Sequence, residues 1–231
     1  MSMNMKMNKF HSDKILLKKY LKEKNWTVEK KYINNFKEVV SIDEVGRGAL
    51  AGPLALGSIY LDKTVLKIIE KNNLRFYDSK ELNEKQREEF FKIIKKLGIP
   101  YKLVFISNKK IEKIGIQESY FLGIKKIINY FQPNFLILDG KKTKFQFKKY
   151  KFFIKGDKIL NSLGAASIIA KFKRDKLMKR LHWKYPVYFW NKNKGYGTKE
   201  HLKAIKKFGI SPLHRKNFLS FMEDKAKEPF V

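Results

Sequence analysis

The stretch VVSIDEVGRGALAGPL, residues 39–54, decides the fold class that the sequence predicts. It opens with a short apolar run of the kind that forms a buried strand. The run ends at two adjacent acids, Asp43 and Glu44, and a segment with three glycines follows. The chain carries a formal net charge of +30, so two acids at the end of an apolar strand require a specific explanation.

Two later stretches repeat the pattern of a strand-like run that ends in an acid beside glycine. They are PNFLILDG, which contains Asp139, and KKYKFFIKGD, which ends in Asp157. Strands that end side by side in one sheet would bring these acids to Asp43 and Glu44. Carboxylates at one place repel, and their pKa values rise unless cations neutralise them. Mg²⁺ suits such oxygen ligands, and two ions about 4 Å apart can activate water and stabilise the leaving oxygen in phosphodiester hydrolysis.

The residues alone leave this convergence open. Each acid taken singly also fits a turn or a helix cap. Neighbours on a regular strand point to opposite faces, so Asp43 and Glu44 share a site only if the strand ends or bends there. Gly46 and Gly48 permit such a bend.

The rest of the chain predicts a mixed α/β sheet flanked by helices. Further strands are expected at 53–61 and 101–107, and helices at 64–72, 83–97, 117–131, 160–181 and 198–209. Asn83 and Thr198 fit helix N-caps, and Gly209 fits a helix end. We expect a basic N-terminal appendage at 1–35, a catalytic domain at 36–222 and a C-terminal tail at 223–231.

The charge balance favours nucleic acid as the partner, because neutralising phosphates releases counterions. Part of the lysine excess also fits the composition bias of an AT-rich coding sequence. A basic protein that binds nucleic acid without cutting it therefore remains the alternative function. The chain has no cysteine, which excludes thiolate zinc sites and fits a reducing cytoplasm. It shows no apolar run long enough to cross a membrane and no secretion signal, so we expect a cytoplasmic protein.

A set of motifs in a fixed order resembles bacterial ribonuclease HII, the type 2 ribonucleases H. The motifs run from residue 38 to 218 and are specific in combination. They are IDEVGRGALAGPL, DSKEL (78–82), LILDG (136–140), KGD (155–157), SLGAASIIAKFKRD (162–175), NKGYGTKEHL (193–202) and GISPLHRKNF (209–218).

The resemblance implies a ribonuclease H-like fold, with a central five-stranded mixed sheet flanked by helices and a helical C-terminal region. It assigns catalysis and metal binding to Asp43, Glu44, Asp139 and Asp157. It also implies a set of substrate-binding residues. In the family, a glycine-arginine-glycine loop senses the ribose 2′-hydroxyl, a tyrosine packs on the following deoxyribose, and a lysine lies near the phosphates. The matching residues here are Gly46, Arg47, Gly48, Tyr196 and Lys80.

The implied enzyme is an endonuclease that hydrolyses the RNA strand of RNA–DNA hybrids with Mg²⁺ or Mn²⁺ in a two-ion site. It also cuts 5′ to single ribonucleotides in duplex DNA and leaves 3′-hydroxyl and 5′-phosphate ends. We expect a monomer that binds these two substrates and no membrane. The preferred metal, the preferred substrate and any partner in the replication machinery stay open.

The chain departs from the family pattern at Ala49, where proline is usual, and we expect a slightly looser loop. Arg47 separates the chain from the sister type ribonuclease HIII, which normally has lysine there. A Holliday-junction resolvase shares the fold, but the ribose-reading loop and Tyr196 argue against it. Arg174 and Lys171 fit either phosphate contacts or solvent. His182, His201 and His214 lack zinc-ligand spacing and are expected at the surface or in caps.

Overall fold

The protein contains one five-stranded mixed sheet, seen in a computed structural model that describes residues 25–76, 78–140, 146–147 and 149–220. The strands are β1 (Val39–Val45), β2 (Leu54–Leu61), β3 (Tyr101–Ile106), β4 (Phe135–Asp139) and β5 (Tyr150–Phe153). Their order across the sheet is β3-β2-β1-β4-β5. β1 pairs antiparallel with β2 and parallel with β4, and β4 pairs parallel with β5. The predicted α/β fold with a central five-stranded mixed sheet is confirmed.

Eight α-helices in the described residues flank this sheet or follow it. They are α1 (Thr27–Phe36), α2 (Lys63–Lys71), α3 (Glu84–Lys96), α4 (Asn108–Phe131), α5 (Gly156–Ile159), α6 (Asn161–Lys184), α7 (Trp190–Asn193) and α8 (Lys199–Phe208). Asn83 and Thr198 accept N-cap hydrogen bonds as predicted, from the Gln86 and His201 backbone amides.

The predicted helix at 117–131 is the second part of a longer element. α4 starts at Asn108, where the Ser107 hydroxyl accepts the Lys110 amide, and Gly115 interrupts it with φ 78° and ψ 166°. Only glycine adopts this backbone conformation without strain. The helical sequence pattern is interrupted at this glycine, and the predicted helix therefore began after it.

The two faces of the sheet carry separate cores. On one face, α6 and the helices beside it cover side chains such as Val39, Ile59 and Ile137. On the other face, α4 covers side chains such as Ile42 and Leu138. Apolar residues thus alternate between the faces along each strand, as a sheet buried on both sides requires.

The approach of α6 to the sheet is closest at Gly57. This glycine pairs with Asp43 across β1 and β2. A Cβ atom on it would collide with the Ala166 carbonyl oxygen and would lie 2.8 Å from the Ala170 nitrogen. Glycine at this position therefore lets the backbone of α6 rest on the strand beside Asp43.

The predicted N-terminal appendage is described only from residue 25 onward. Its helix α1 packs on the core through Trp26 and Ile33. The buried Glu29 carboxylate accepts the Ser162 backbone amide, at the start of α6, at 3.0 Å. The carboxylate thereby accepts a hydrogen bond from an amide that has no partner within α6. The positive end of the helix dipole in turn stabilises its negative charge. The boundary at residue 35 stays a prediction, and residues 1–24 and the tail at 223–231 lie outside the described residues.

Candidate active site

Three of the four predicted acids come together at one edge of the sheet. Carboxylate oxygens of Asp43, Asp139 and Asp157 all lie within 4.8 Å of one another. Asp43 lies in β1, Asp139 is the last residue of the adjacent β4, and Asp157 lies in the short helix α5 after β5. Because β1 and β4 are parallel neighbours, their carboxyl ends meet at the same edge. Oxygen ligands at this spacing fit a hard divalent cation.

Glu44 lies outside that compact group. β1 does not end or bend at the two acids, because the regular pairing with β2 continues through Val45. Asp43 therefore faces α6, while Glu44 points to the opposite face, where its Oε1 accepts from Arg47 at 3.3 Å. Glu44 is near enough to raise the pKa of Asp43. The two adjacent acids thus lie on different faces of the sheet but remain close enough for their charges to repel.

Local hydrogen bonds fix the orientation of two carboxylates. Asp43 Oδ1 accepts the Glu44 backbone amide at 2.8 Å, and Asp139 Oδ1 accepts the Gly156 amide at 2.6 Å. The Ser167 hydroxyl of α6 lies close to the Asp43 carboxylate and opposes the rise in its pKa. Ser167 in turn lies 2.8 Å from the buried Ser79 hydroxyl, which ties the DSKEL segment to the same group.

Burial and mutual repulsion destabilise the ionised form of these carboxylates. Burial, followed by the charges of Glu44 and Asp139, raises the pKa of Asp43 well above its usual value. Burial also raises the pKa of Asp139, although the Gly156 amide opposes this. Burial raises the pKa of Glu44 against the opposing charge of Arg47. A bound cation would remove this penalty, because it stabilises the ionised form of each acid.

Lys80 lies against the acid group. Its ammonium contacts Asp157 Oδ2 at 3.3 Å, although the Lys80 side chain remains largely exposed. Burial lowers the pKa of Lys80, but Asp157 and Asp78 raise it by more. Lys158 makes the reciprocal contact with Asp78 at 3.8 Å. The DSKEL segment and the loop that carries Asp157 are thus held together by two crossed ion pairs.

The loop that follows β1 is held from inside by two buried arginines. Arg174 of α6 donates to the Pro53, Lys194 and Ala51 carbonyls at 2.9, 2.9 and 3.2 Å. Arg215 donates to the Arg47 and Gly52 carbonyls at 2.9 and 3.0 Å. Arg174 is therefore fully buried and holds the loop backbone, so it fits neither of the two alternatives, phosphate contact or solvent, that the sequence left open.

The structure restricts Gly46 and Gly48 of this loop to different extents. Gly46 has φ 89°, and a Cβ atom on it would collide with the Arg174 guanidinium. Gly48 has no such restriction, because a Cβ atom there would meet nothing within 4 Å. Ala49, where the family usually has proline, keeps an N–H that lies 3.4 Å from the Gly46 carbonyl. The fold thus explains Gly46 but does not explain Gly48.

Tyr196 reaches the same loop from the C-terminal part of the chain. Its hydroxyl accepts the Gly46 amide at 3.0 Å, and its ring packs 5.4 Å from the Arg174 guanidinium. The next two amides, those of Arg47 and Gly48, donate to no protein acceptor within the described residues. Two free N–H donors therefore follow the tyrosine contact directly along the loop.

A buried pair of histidines supports Tyr196, which corrects the expectation of surface or capping roles for His201 and His214. His201 Nδ1 lies 2.9 Å from the Tyr196 carbonyl, which requires an N–H there. Its Nε2 then accepts from Trp190 Nε1 at 3.0 Å and from His214 Nε2 at 3.1 Å. His214 Nδ1 accepts the Ser211 amide at 2.8 Å. This pattern of donors and acceptors requires both imidazoles to be neutral.

We expect the stability of the protein to fall as the pH drops from about 6.5 toward 4. Burial, followed by the proximity of His201, lowers the pKa of His214 from 6.5 to about 4. Between these values the unfolded chain binds more protons than the folded one, so stability rises with pH. Urea unfolding at a series of pH values measures this slope, and His214→Asn should reduce it. Parallel profiles for the two proteins would contradict the prediction.

In the part of the chain that the structure describes, no helix combines the length and apolar character needed to cross a bilayer.

The fold defines the class of protein first. The chain aligns with the ribonuclease HII structure in the complex of PCNA and RNase HII from Archaeoglobus fulgidus with a TM-score of 0.64. The match covers 84% of this chain and 98% of that one at 21% identity, which shows a shared fold. The sheet and its acid group thus belong to a ribonuclease H-like fold.

The sequence then defines the family. The family model described as Ribonuclease HII matches residues 40–221. Ribonuclease HII from Oceanobacillus iheyensis is 40% identical over 88% of this chain and 76% of its own length. Ribonuclease HII from Pelagibacter ubique is 43% identical over 79% of this chain and 96% of its own. The chain belongs to the ribonuclease HII family.

Membership in this family makes the protein a ribonuclease H, an endonuclease that hydrolyses phosphodiester bonds. The alternative of a basic protein that binds nucleic acid without cutting it is thereby set aside.

Proposed function

We propose that the protein hydrolyses the RNA strand of RNA–DNA hybrids and cuts duplex DNA on the 5′ side of single embedded ribonucleotides. The products would be 3′-hydroxyl and 5′-phosphate ends. One observation carries this proposal. A rigidly held loop with two free backbone N–H groups directly follows the strand that carries Asp43 and Glu44. Such a loop can recognise a ribose at the place where the acids act.

The acids are proposed as the ligands of two divalent ions, Mg²⁺ or Mn²⁺. Asp43, Asp139 and Asp157 supply closely spaced, partly buried oxygens whose repulsion a cation would relieve. Glu44 would complete the set from the other face. When bound, such ions activate a water molecule and stabilise the charge on the leaving oxygen.

The protein residues around the acids keep this centre in place. The Glu44 and Gly156 amides hold Asp43 and Asp139, so that their remaining oxygens stay directed at the site. Lys80 is proposed to exchange its contact with Asp157 for a substrate phosphate. Its exposed ammonium can do so without loss of buried contacts.

Ribose recognition is proposed for the loop and Tyr196. The 2′-hydroxyl is the group that distinguishes RNA from DNA, and it can accept a hydrogen bond from an amide. The free N–H groups of Arg47 and Gly48 are suited to this contact. Tyr196, fixed to the Gly46 amide, would pack on the adjoining deoxyribose.

The test of the proposal uses a labelled DNA duplex with one ribonucleotide, beside an all-DNA duplex of the same sequence. We expect a single nick 5′ to the ribonucleotide that requires Mg²⁺ or Mn²⁺, and no cut in the control. Cutting of both duplexes would refute ribose recognition. Binding of the first duplex without any cut, with either metal present, would refute the assignment of the acids.

Gly48→Ala is expected to lower cleavage at a single ribonucleotide by about 10²-fold with no change in stability. The added methyl group has free space in the protein, so its effect falls on the approach of the substrate to the loop amides. Loss of one preorganised backbone donor typically costs this factor in rate. The measurement combines single-turnover cleavage with thermal unfolding. Wild-type cleavage by this variant would show that the substrate does not approach Gly48.

Tyr196→Phe is expected to reduce cleavage at single ribonucleotides by about fivefold, since loss of one neutral hydrogen bond costs about 1 kcal/mol. The ring remains, but the Gly46 amide loses its acceptor and the loop loses one support. Tyr196→Ala removes the ring as well and should have the larger effect. Steady-state rates on the ribonucleotide duplex test the order of the three proteins. Equal rates would remove Tyr196 from the site.

The proposed partners follow from this activity. The protein would act as a monomer in the cytoplasm on hybrids and on ribonucleotide-containing DNA. The Archaeoglobus fulgidus ribonuclease HII forms a complex with PCNA. A corresponding sliding-clamp contact is proposed for this chain, and co-elution with the clamp during gel filtration would test it.

A further inference from the structure

The second half of α6 carries an exposed stripe of three cations and one aromatic ring. We use the name α6 stripe for Lys176, Arg180, Trp183 and Lys184. Their spacing of four, three and one residues places them on one side of the helix. All four are exposed, and the Trp183 side chain is 84% exposed. An indole ring open to this extent offers a free apolar face to a ligand.

The cations of the α6 stripe have no ion-pair partner within the described residues. No carboxylate in the described residues forms an ion pair with Lys176, Arg180 or Lys184. Lys179, on a neighbouring side of the helix, does pair with Glu84 at 2.6 Å. The stripe thus has positive charge without a carboxylate partner, whereas the adjacent position has one.

Further lysines crowd the end of the stripe nearest the sheet. Burial lowers the pKa of Lys173, and the charges of Lys176 and Lys95 lower it further. Like charges at this spacing repel, and a polyanion relieves that repulsion. The crowding therefore favours a ligand with several phosphates.

We propose that the α6 stripe is a second nucleic-acid site that takes an unpaired strand, with a base stacked on Trp183 and phosphates on Lys176, Arg180 and Lys184. Exposed aromatic rings among cations are the usual means of binding single strands, because every base offers a stacking face. A paired base offers no free face, so the ring favours an unpaired strand over a duplex.

This site lies away from the acids. Ser167 of α6 lies close to Asp43, and Trp183 follows sixteen residues later on the same helix. At the helical rise the separation is about 24 Å along the axis, which equals the length of about seven base pairs of DNA. The inference goes beyond the proposed function, and it does not depend on it.

The intrinsic fluorescence of the protein can report on this site directly. The chain has three tryptophans, and the other two, Trp26 and Trp190, are 7% and 0% exposed. Titration of the Asp43→Asn protein with oligothymidylate in EDTA should quench the exposed component, because a stacked base contacts Trp183. The same titration with Trp183→Ala should give no quenching and about tenfold weaker binding by fluorescence anisotropy.

Two matched controls separate stacking from charge. Tyr130→Ala removes an exposed ring from α4 on the other face of the sheet and should leave binding unchanged. Lys176→Ala with Arg180→Ala should weaken binding, whereas Lys125→Ala with Lys126→Ala removes two exposed charges from α4 and should have a smaller effect.

Four outcomes would overturn the inference. They are no quenching by oligothymidylate, equal quenching by a blunt DNA duplex, equal quenching by anionic phospholipid vesicles, and unchanged affinity in Trp183→Ala. Cleavage of a blunt ribonucleotide-containing duplex by otherwise wild-type Trp183→Ala should remain unchanged. If the wild-type protein does not cut that duplex, the proposed role of the acids is refuted, and the inference about the α6 stripe is not affected.

Discussion

Asp43→Asn is expected to lower the rate of cleavage by about 10³-fold or more while the affinity for the duplex stays within a small factor. Asp43 is the buried member of the acid group that β1 carries, and it lies close to the α6 hydroxyl Ser167. Metal stabilisation of transition-state charge is worth several kcal/mol, and each 1.4 kcal/mol corresponds to about tenfold in rate. Binding should persist because the basic surface of the protein, not the acids, attracts the phosphates.

The same variant has a second expected property that does not depend on activity. In the absence of divalent metal, Asp43→Asn should unfold at a higher temperature than the wild type, because it removes a buried charge that repels Glu44 and Asp139. Addition of Mn²⁺ should stabilise the wild type and have little effect on the variant. Thermal unfolding with and without metal measures both effects.

Glu118→Gln is a suitable control for Asp43→Asn, because it also removes one negative charge, at an exposed position of α4. It should match the wild type in both assays. Wild-type cleavage by Asp43→Asn would show that the acids are structural. An equal response of the two proteins to Mn²⁺ would show that the metal binds elsewhere.

Gly57→Ala is expected to destabilise the protein by about 3 kcal/mol, at the upper end of the typical cost of overpacking a close contact. The added methyl group would meet the Ala166 carbonyl oxygen and the Ala170 nitrogen, which are backbone atoms of α6 and cannot rotate away. The helix must therefore move from the strand, and it carries Ser167 and Arg174 with it. Cleavage should fall together with stability.

Comparison with Gly48→Ala makes the Gly57 prediction specific. Both changes add one methyl group, but only Gly57 faces backbone atoms at contact distance. Gly57→Ala should lower the unfolding temperature by about 10 °C, the shift expected for 3 kcal/mol in a domain of this size. Gly48→Ala should leave it unchanged. Similar unfolding temperatures for all three proteins would show that α6 can move away from the strand at little cost.

Most of the fold could be predicted from the sequence because its signals are local. Apolar runs such as those at 39–45 and 135–139 predict strands, and Asn83 and Thr198 predict the starts of two helices. The helix at 27–36 has a weaker signal and was assigned to an appendage. One of its ties to the core is the contact between Glu29 and Ser162, and two residues so far apart in the chain give no local sign of pairing.

The sequence predicted that four acids would meet at the ends of neighbouring strands, and the structure groups three of them, Asp43, Asp139 and Asp157. We expected Asp43 and Glu44 to share a site only if the strand ended or bent there. The strand stays regular, and the two side chains lie on opposite faces of the sheet. Arg174 and Arg215 could not be recognised as buried, because fully buried arginine is rare and both lie among exposed cations in the sequence. His201 and His214 contact each other only in the folded chain, and metal-ligand spacing was the wrong pattern to seek.

The two arginines that hold the loop from inside also affect the thermodynamics of substrate binding. A loop without regular secondary structure normally loses conformational entropy when it closes on a ligand. Here the Arg47, Ala51, Gly52 and Pro53 carbonyls are already fixed by guanidinium groups, so that entropy is lost when the chain folds. The loop therefore loses little further entropy when the substrate binds. Discrimination between ribose and deoxyribose then depends on the enthalpy of a few hydrogen bonds.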